Sequence, residues 1–559
     1  MQRRDFLRYS ALGGLALSSG GYIFAASRKH PHTSAGGLAP LPERGAPLRP
    51  LPRIVNLSES AGRFRSALTP ATHTVPLSDE LEARLWLYNG KVAPLIEVRE
   101  GDELDITLIN QLEQETTLHW HGVPVLQTED GAPWDAVAPG DSRQYRYTFP
   151  EGSAGLHWFH PHPHEGTARQ VAHGLAGALL VRPPQDVLPV EMEEHLLVVS
   201  DLRLTANGEV APHTDEDWMN GREGELLLVN GQREPRLDVA PGSTLRLRLI
   251  NACAGRYLRL RLDEHELTLI GTDGGLIEHP QPLEELLLTP GERADLLVRV
   301  SGQAGGRFLL ASHPYERGWM GERPPHLDEV APLLVINTLH AGVQPAVRLP
   351  ERLGRVEPLG EPAVRRKVEF TEVMPGHDAH EAGHGNGHGD HAAHGGGHGN
   401  QGEHAAHGGG HGNQGEHDGH GGHGGHAAQM AEHAGHGASA GQASRPEVEF
   451  LINGRAFAMD EILFEGRVDE VEEWEVFNNS HMDHPFHVHG THFQVIATRD
   501  AEGAWRETPW LAWKDTVNLA PYQRLALRMV FREPGDWLFH CHIIEHEELG
   551  MMATVRIHS

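Results

Sequence analysis

Two cysteines in 559 residues, Cys253 and Cys541, rule out a disulfide framework. Basic residues are also scarce. Against 77 Asp and Glu stand 47 Lys and Arg, a formal charge of −30 with histidine neutral. Nucleic acid is excluded as a partner, because binding phosphates needs a positive surface. A metal cation suits this surface better. Long apolar runs are missing as well. Residues 1–27, MQRRDFLRYSALGGLALSSGGYIFAAS, hold an apolar stretch too short and glycine-rich for a stable membrane anchor. Arg3–Arg4, Phe6–Leu7 and the small residues near Ala25–Ala26 read instead as a twin-arginine signal. That predicts engagement of the twin-arginine export machinery and a periplasmic location. A Pro-rich linker, 28–52, follows.

What the chain has is histidine, 42 in all, and four short clusters carry its chemistry. They are HWHG (His119, His121), FHPH (His160, His162), HPFHVHG (His484, His487, His489) and HCHIIEHEELGM from His540 to Met551. Side chains alternate faces along a strand, so His540 and His542 point one way and Cys541 the other. Cys541, with the imidazoles of His546 and the distant His484 and the weak axial thioether of Met551, supplies the His2Cys-plus-Met set of a blue, type 1 copper. With Cys541 as a ligand no intrachain disulfide can form, and Cys253 in LINACAGRY becomes a small core residue. Four His-x-His pairs, 119/121, 160/162, 487/489 and 540/542, each put two imidazoles on one strand face. Eight imidazoles suffice for a second site of three coppers.

These motifs, in this order and spacing from about Leu85 to the C-terminus, resemble the three-domain multicopper oxidases. The resemblance implies four coppers per chain. His119 and His487 would hold the type 2 copper; His121, His160 and His542 one type 3 copper; His162, His489 and His540 the other. It implies one-electron oxidation of a donor at type 1 copper and reduction of dioxygen to water at the trinuclear cluster, with Cys541 joined covalently to His540 and His542 as the electron path. Asp130, eleven residues after His119, matches the family's acid beside type 2 copper. Glu547 matches its proton-donating acid, with Glu548 the competitor.

The rest of the sequence supports an all-β chain. Runs such as LIEVREGDELDITLIN, STLRLRLIN and RVDEVEEWEVFNN alternate apolar and polar residues, as half-buried strands of β-sandwiches do. By resemblance there are three cupredoxin-like domains, about 53–185, 186–345 and 355–559, the middle one mainly a spacer. Within the third, residues 377–436 carry sixteen histidines among Gly, Ala, Asn, Gln and Glu, and HAAHGGGHGNQGE repeats in tandem at 391–403 and 404–416. Such a segment cannot bury a core and is expected to be a disordered excursion. Many weak imidazole sites on one tether would raise the local metal concentration. A neutral repeat and a pH-responsive loop are the other readings.

The insert, the twin-arginine signal, WFHPHPHEGTARQVAHGLAG and HPFHVHGTHF resemble the bacterial periplasmic copper-efflux oxidases, which implies Cu(I) as substrate. The insert of those enzymes is richer in Met; here Met430 stands alone, which leaves Cu(II) capture open. Met482 matches their substrate-site Met two residues before the type 1 His, while Ser480 replaces their acid four residues before it. Asp483, Met374 and Asp378 are further candidates for a substrate-copper site. Two other functions stay in play. A laccase-like oxidase of phenols or other organic donors would have an open, apolar-rimmed type 1 pocket; a non-catalytic copper-binding protein would consume no oxygen. A monomer is expected.

Overall fold

A computed structural model describes residues 42–79, 81–373 and 445–559. The twin-arginine signal, Met374, Asp378 and the histidine-rich segment lie outside the described residues. Among the described residues no helix is long and apolar enough to cross a membrane.

The fold is β throughout, in three sandwich units. In the first, Arg63–Leu68, Glu103–Ile109 and Ser142–Thr148 form one sheet, and Leu95–Arg99, Gly177–Arg182 and Gly155–Phe159 another. The second and third units repeat one plan, a six-stranded sheet against a five-stranded sheet. In the third unit the five-stranded sheet runs, in spatial order, Phe464–Arg467, Met552–His558, Gly535–Cys541, His484–Val488 and Thr516–Leu519. Each unit has its own apolar core.

Strands come in two burial regimes, and two that carry or adjoin the clustered histidines belong to the fully buried one. Val471–Asn478, VEEWEVFN, buries every second residue, because one sheet face meets the core and the other faces water. Gly155–Phe159 and His484–Val488 are buried at every position. Their second face is covered by another domain. Residues 45–48 also pack inward: the Gly45 and Leu48 amides donate to the carbonyls of Glu234 and Arg236 in the middle unit, at 2.9 and 2.8 Å. On either side of the undescribed stretch, Val373 pairs with Glu449 in an antiparallel ladder, so the chain leaves and returns at one sheet edge.

Candidate metal centre

The first unit brings its two histidine pairs side by side. His119 and His160 exchange backbone hydrogen bonds of 2.9 and 3.2 Å. The third does the same with His487 opposite His540. Alternation then sorts the side chains: Phe486, Val488, Phe539 and Cys541 enter the third core, Leu118 and Trp120 the first. The intervening histidines face the other unit.

There the two faces meet. His119 stacks on His489 and His121 on His487, with ring centroids 3.9 Å apart in both pairs. His162 lies 5.1 Å from His540 and His160 5.8 Å from His542. All eight rings are buried. His162, His489 and His540 turn their Nε2 atoms together, at 3.3 Å (His162 to His540) and 3.1 Å (His489 to His540). Ligand atoms of His119, His121 and His160, and of His119, His487 and His489, also converge within 4.8 Å. His542 joins none of these converging groups, its ring 5.0 Å from that of His121. The pair expected at type 2 copper, His119 and His487, has ring centroids 6.2 Å apart.

The rings are oriented for a cation. Nδ1–H of His119, His160, His487 and His540 donates to the carbonyls of Asp130, Pro161, Asp515 and Cys541, which leaves each Nε2 as a lone pair. Nε2 of His119, His160 and His487, Nδ1 of His121 and both nitrogens of His542 have no partner among the described residues. Burial pushes His489 down to about 3 and holds His121, His160, His162, His540 and His542 well below the ordinary histidine range. Neutral rings aiming unpaired lone pairs at one another in a buried space are unfavourable alone and fit copper.

The second donor set is smaller. Cys541 Sγ lies 3.5 Å from His484 Nδ1 and 3.9 Å from His546 Nδ1, and the two Nδ1 atoms are 3.2 Å apart. Met551 is fully buried in the same core, and its carbonyl accepts the Cys541 amide at 3.0 Å. Burial pushes the Cys541 thiol up, so a cation binding there must displace its proton. The outer nitrogens are capped: His484 Nε2 meets Ser480 Oγ at 2.9 Å, and His546 Nε2 donates to the Met219 carbonyl at 3.1 Å.

The acids separate by position. Burial alone would raise Asp130, but His489 and His119 hold it well below the usual carboxylate range; its Oδ2 takes His489 Nδ1 at 2.8 Å. Successive positions of the short helix Ile544–Glu548 point in different directions, which divides the roles of His546, Glu547 and Glu548. Glu547 lies 3.5 Å from His162 Nε2 and 3.4 Å from His540 Nδ1, and burial pushes it well above the usual carboxylate range, which favours its protonated form. Glu548 instead pairs with Arg445 and accepts the Ala168 amide at 2.9 Å, a structural contact. Met482 is fully buried, and Asp483, also buried, accepts hydrogen bonds from Tyr315 and Asn518 at 2.7 Å each. Neither faces an incoming cation directly.

The middle unit is more than the spacer expected. Its Arg293, fully buried, forks onto Asp515 at 2.7 and 2.5 Å, and Asp515 Oδ1 lies 3.2 Å from His121 Nε2. Gly291 backs His542: a Cβ there would stand 2.8 Å from the ring. Sequence patterning missed both. The one available signal was an arginine opening the strand RADLLVR beside an apolar run.

Family comparisons agree with this geometry. Three profiles, each described as multicopper oxidase, match residues 70–186, 192–339 and 429–559. The chain belongs to the three-domain multicopper oxidases, and is an oxidase that uses dioxygen. A Campylobacter jejuni multicopper oxidase, described as a metallo-oxidase, is 33% identical, with 94% of this chain and 99% of that one covered and a TM-score of 0.75. The laccase-like multicopper oxidase CueO of Ochrobactrum sp., with oxidase activity towards lignin model compounds, is 25% identical over 91% of this chain and all of that one, TM-score 0.68. Multicopper oxidase mco of Staphylococcus epidermidis is 26% identical over 486 residues, 84% of this chain and 83% of its own length.

Proposed function

We propose that this chain is a periplasmic cuprous oxidase that serves copper tolerance, coupling oxidation of Cu(I) to reduction of dioxygen. In this reading one chain holds four coppers. His484, Cys541, His546 and Met551 take type 1; His119 and His487 take type 2; His121, His160 and His542 take one type 3 copper, and His162, His489 and His540 the other. Bound copper supplies one-electron oxidation at the first set and four-electron reduction of dioxygen at the second. Per dioxygen, four Cu(I) and four protons give four Cu(II) and two waters.

The residues divide that work. Cys541, between His540 and His542, is the covalent link between the two donor sets. Glu547 brings a proton to the side of His162 and His540, and Asp130, ionised, holds His119 and His489 in place. The observation that carries the cuprous reading is closure: His484, Cys541, His546 and Met551 are all fully buried, and both outer ring nitrogens are capped by protein. A phenol reaches no imidazole edge directly, whereas an ion bound at the protein surface can pass on an electron. The histidine-rich insert and the metallo-oxidase relative support the same choice. Oxygen uptake with Cu(I) against a phenol, on the copper-loaded full chain, decides it. A far higher kcat/KM for Cu(I) is expected; preference for the phenol establishes the laccase-like reading.

A further inference from the structure

Among the described residues, His481 stands outside both donor sets with the geometry of an oriented metal ligand. His481 is 46% exposed, three residues before His484, and its Nδ1 is paired with the carboxylate of Glu372, whose side chain is only 11% exposed. The same Glu372 Oε1 accepts the His481 backbone N–H at 3.4 Å, so ring and backbone are held together. Glu372 Oε2 is buried and has no partner among the described residues. With Nδ1–H committed to the carboxylate, the tautomer is fixed and Nε2 becomes a lone pair on an exposed ring. A carboxylate behind Nδ1 is how proteins orient a ligating imidazole and raise its basicity.

The neighbouring residue connects this ring to the type 1 set. Ser480 Oγ lies 2.9 Å from His484 Nε2, 2.8 Å from Asn478 Oδ1 and 3.1 Å from the Met482 carbonyl. Fully engaged and buried, that hydroxyl cannot also bind an incoming ion. It does provide a short route: from His481 along one peptide unit to Ser480, then across a hydrogen bond to His484.

Given the cuprous reading above, we propose that His481 and Glu372 form the docking site for the substrate ion, with His481 Nε2 as ligand to Cu(I) and Glu372 as the carboxylate that orients it. Docked Cu(I) loses one electron through Ser480 to His484 and leaves as Cu(II); no atom is transferred, and dioxygen is the final acceptor. Imidazole serves both oxidation states, so the product does not need a different ligand to form. Glu372 also lies one residue before the end of the described strand Val364–Val373, from which the histidine-rich sequence continues.

The test is steady-state oxygen uptake by the copper-loaded full chain and its His481→Ala and Glu372→Gln variants, with Cu(I) and with a phenol, alongside the blue absorption. Glu372→Gln should raise KM for Cu(I) by about tenfold, the low end of the range found when ligand-orienting partners of metal sites are lost, and His481→Ala, which removes the ligand itself, by more. Phenol oxidation and the blue band should not change. A parent that oxidises Cu(I) and a His481→Ala variant with the same KM overturn the site while leaving the cuprous reading intact. Equal losses with both donors, or a lost blue band, overturn it in favour of a structural role. A parent that oxidises the phenol but not Cu(I) overturns both.

Discussion

Arg293→Leu tests whether the middle unit supports the cluster. The guanidinium touches all three units: it donates to the Leu156 carbonyl at 3.1 Å in the first, to the Gly291 and Asp273 carbonyls at 3.2 Å each in its own, and to both Asp515 oxygens in the third. Leucine removes every one of these bonds. Asp273 keeps Lys514, 3.2 Å away, but Asp515 loses its cation while fully buried. Breaking a buried pair from one side costs about 3–5 kcal/mol, because the remaining charge has no compensation. The nearest group able to compensate is His121, and an imidazole drawn into that role as a cation is withdrawn from copper. Expected, therefore, are a lower urea midpoint for the metal-free protein and loss of copper from the trinuclear side, with the blue band retained because Cys541, His484 and His546 do not contact Arg293. Adding Asp515→Asn should recover part of the stability, since the two residues act on one interaction. An Arg293→Leu variant within about 1 kcal/mol of the parent and fully copper-loaded would show that Arg293 does not hold Asp515 for the cluster, as would strictly additive effects.

Gly291→Ala should have a narrower effect: φ is +85° there and the new methyl would press on the His542 ring, so copper analysis should show trinuclear loss with blue absorption intact, and full occupancy contradicts it. Cys541→Ser should abolish the blue band and turnover while copper remains in the eight-histidine set; a surviving blue band removes Cys541 from the type 1 site. Asp130→Asn and Glu547→Gln should slow reoxidation by dioxygen and leave reduction of the type 1 site nearly unchanged, which stopped-flow mixing of each half-reaction separates; slower reduction with normal reoxidation points to structural roles. Deleting 377–436 should leave fold and catalytic copper intact, since Val373 and Glu449 already face each other and a shorter connection lowers closure entropy by about 1 kcal/mol. Cuprous oxidation at limiting copper should then fall while phenol oxidation holds, and equal cuprous activity in both proteins leaves the repeat without a capture role.

What could be read from the sequence and what could not differ in physical kind. His-x-His pairs and HCH were legible because a strand's period of two converts spacing directly into facing, and the cores show that sorting at Phe486, Val488 and Phe539. Cys253 was legible for a similar local reason, an isolated small residue among apolar neighbours, and it is buried and free. Arg293 and Asp515 are 222 residues apart, Glu372 and His481 109 apart. No local pattern links such pairs, since each contact exists only once domains or sheets have packed. The same distinction explains Met482 and Asp483: adjacency to His484 made them candidates, but that stretch folds inward, the Asp483 amide donating to the Arg317 carbonyl of the middle unit at 2.7 Å. The one side chain of the stretch left with an exposed ring is His481, and a half-buried carboxylate on the neighbouring strand holds it. Local period therefore specifies the two donor sets, whereas tertiary packing selects an imidazole beside them that stays open to a cation from solution.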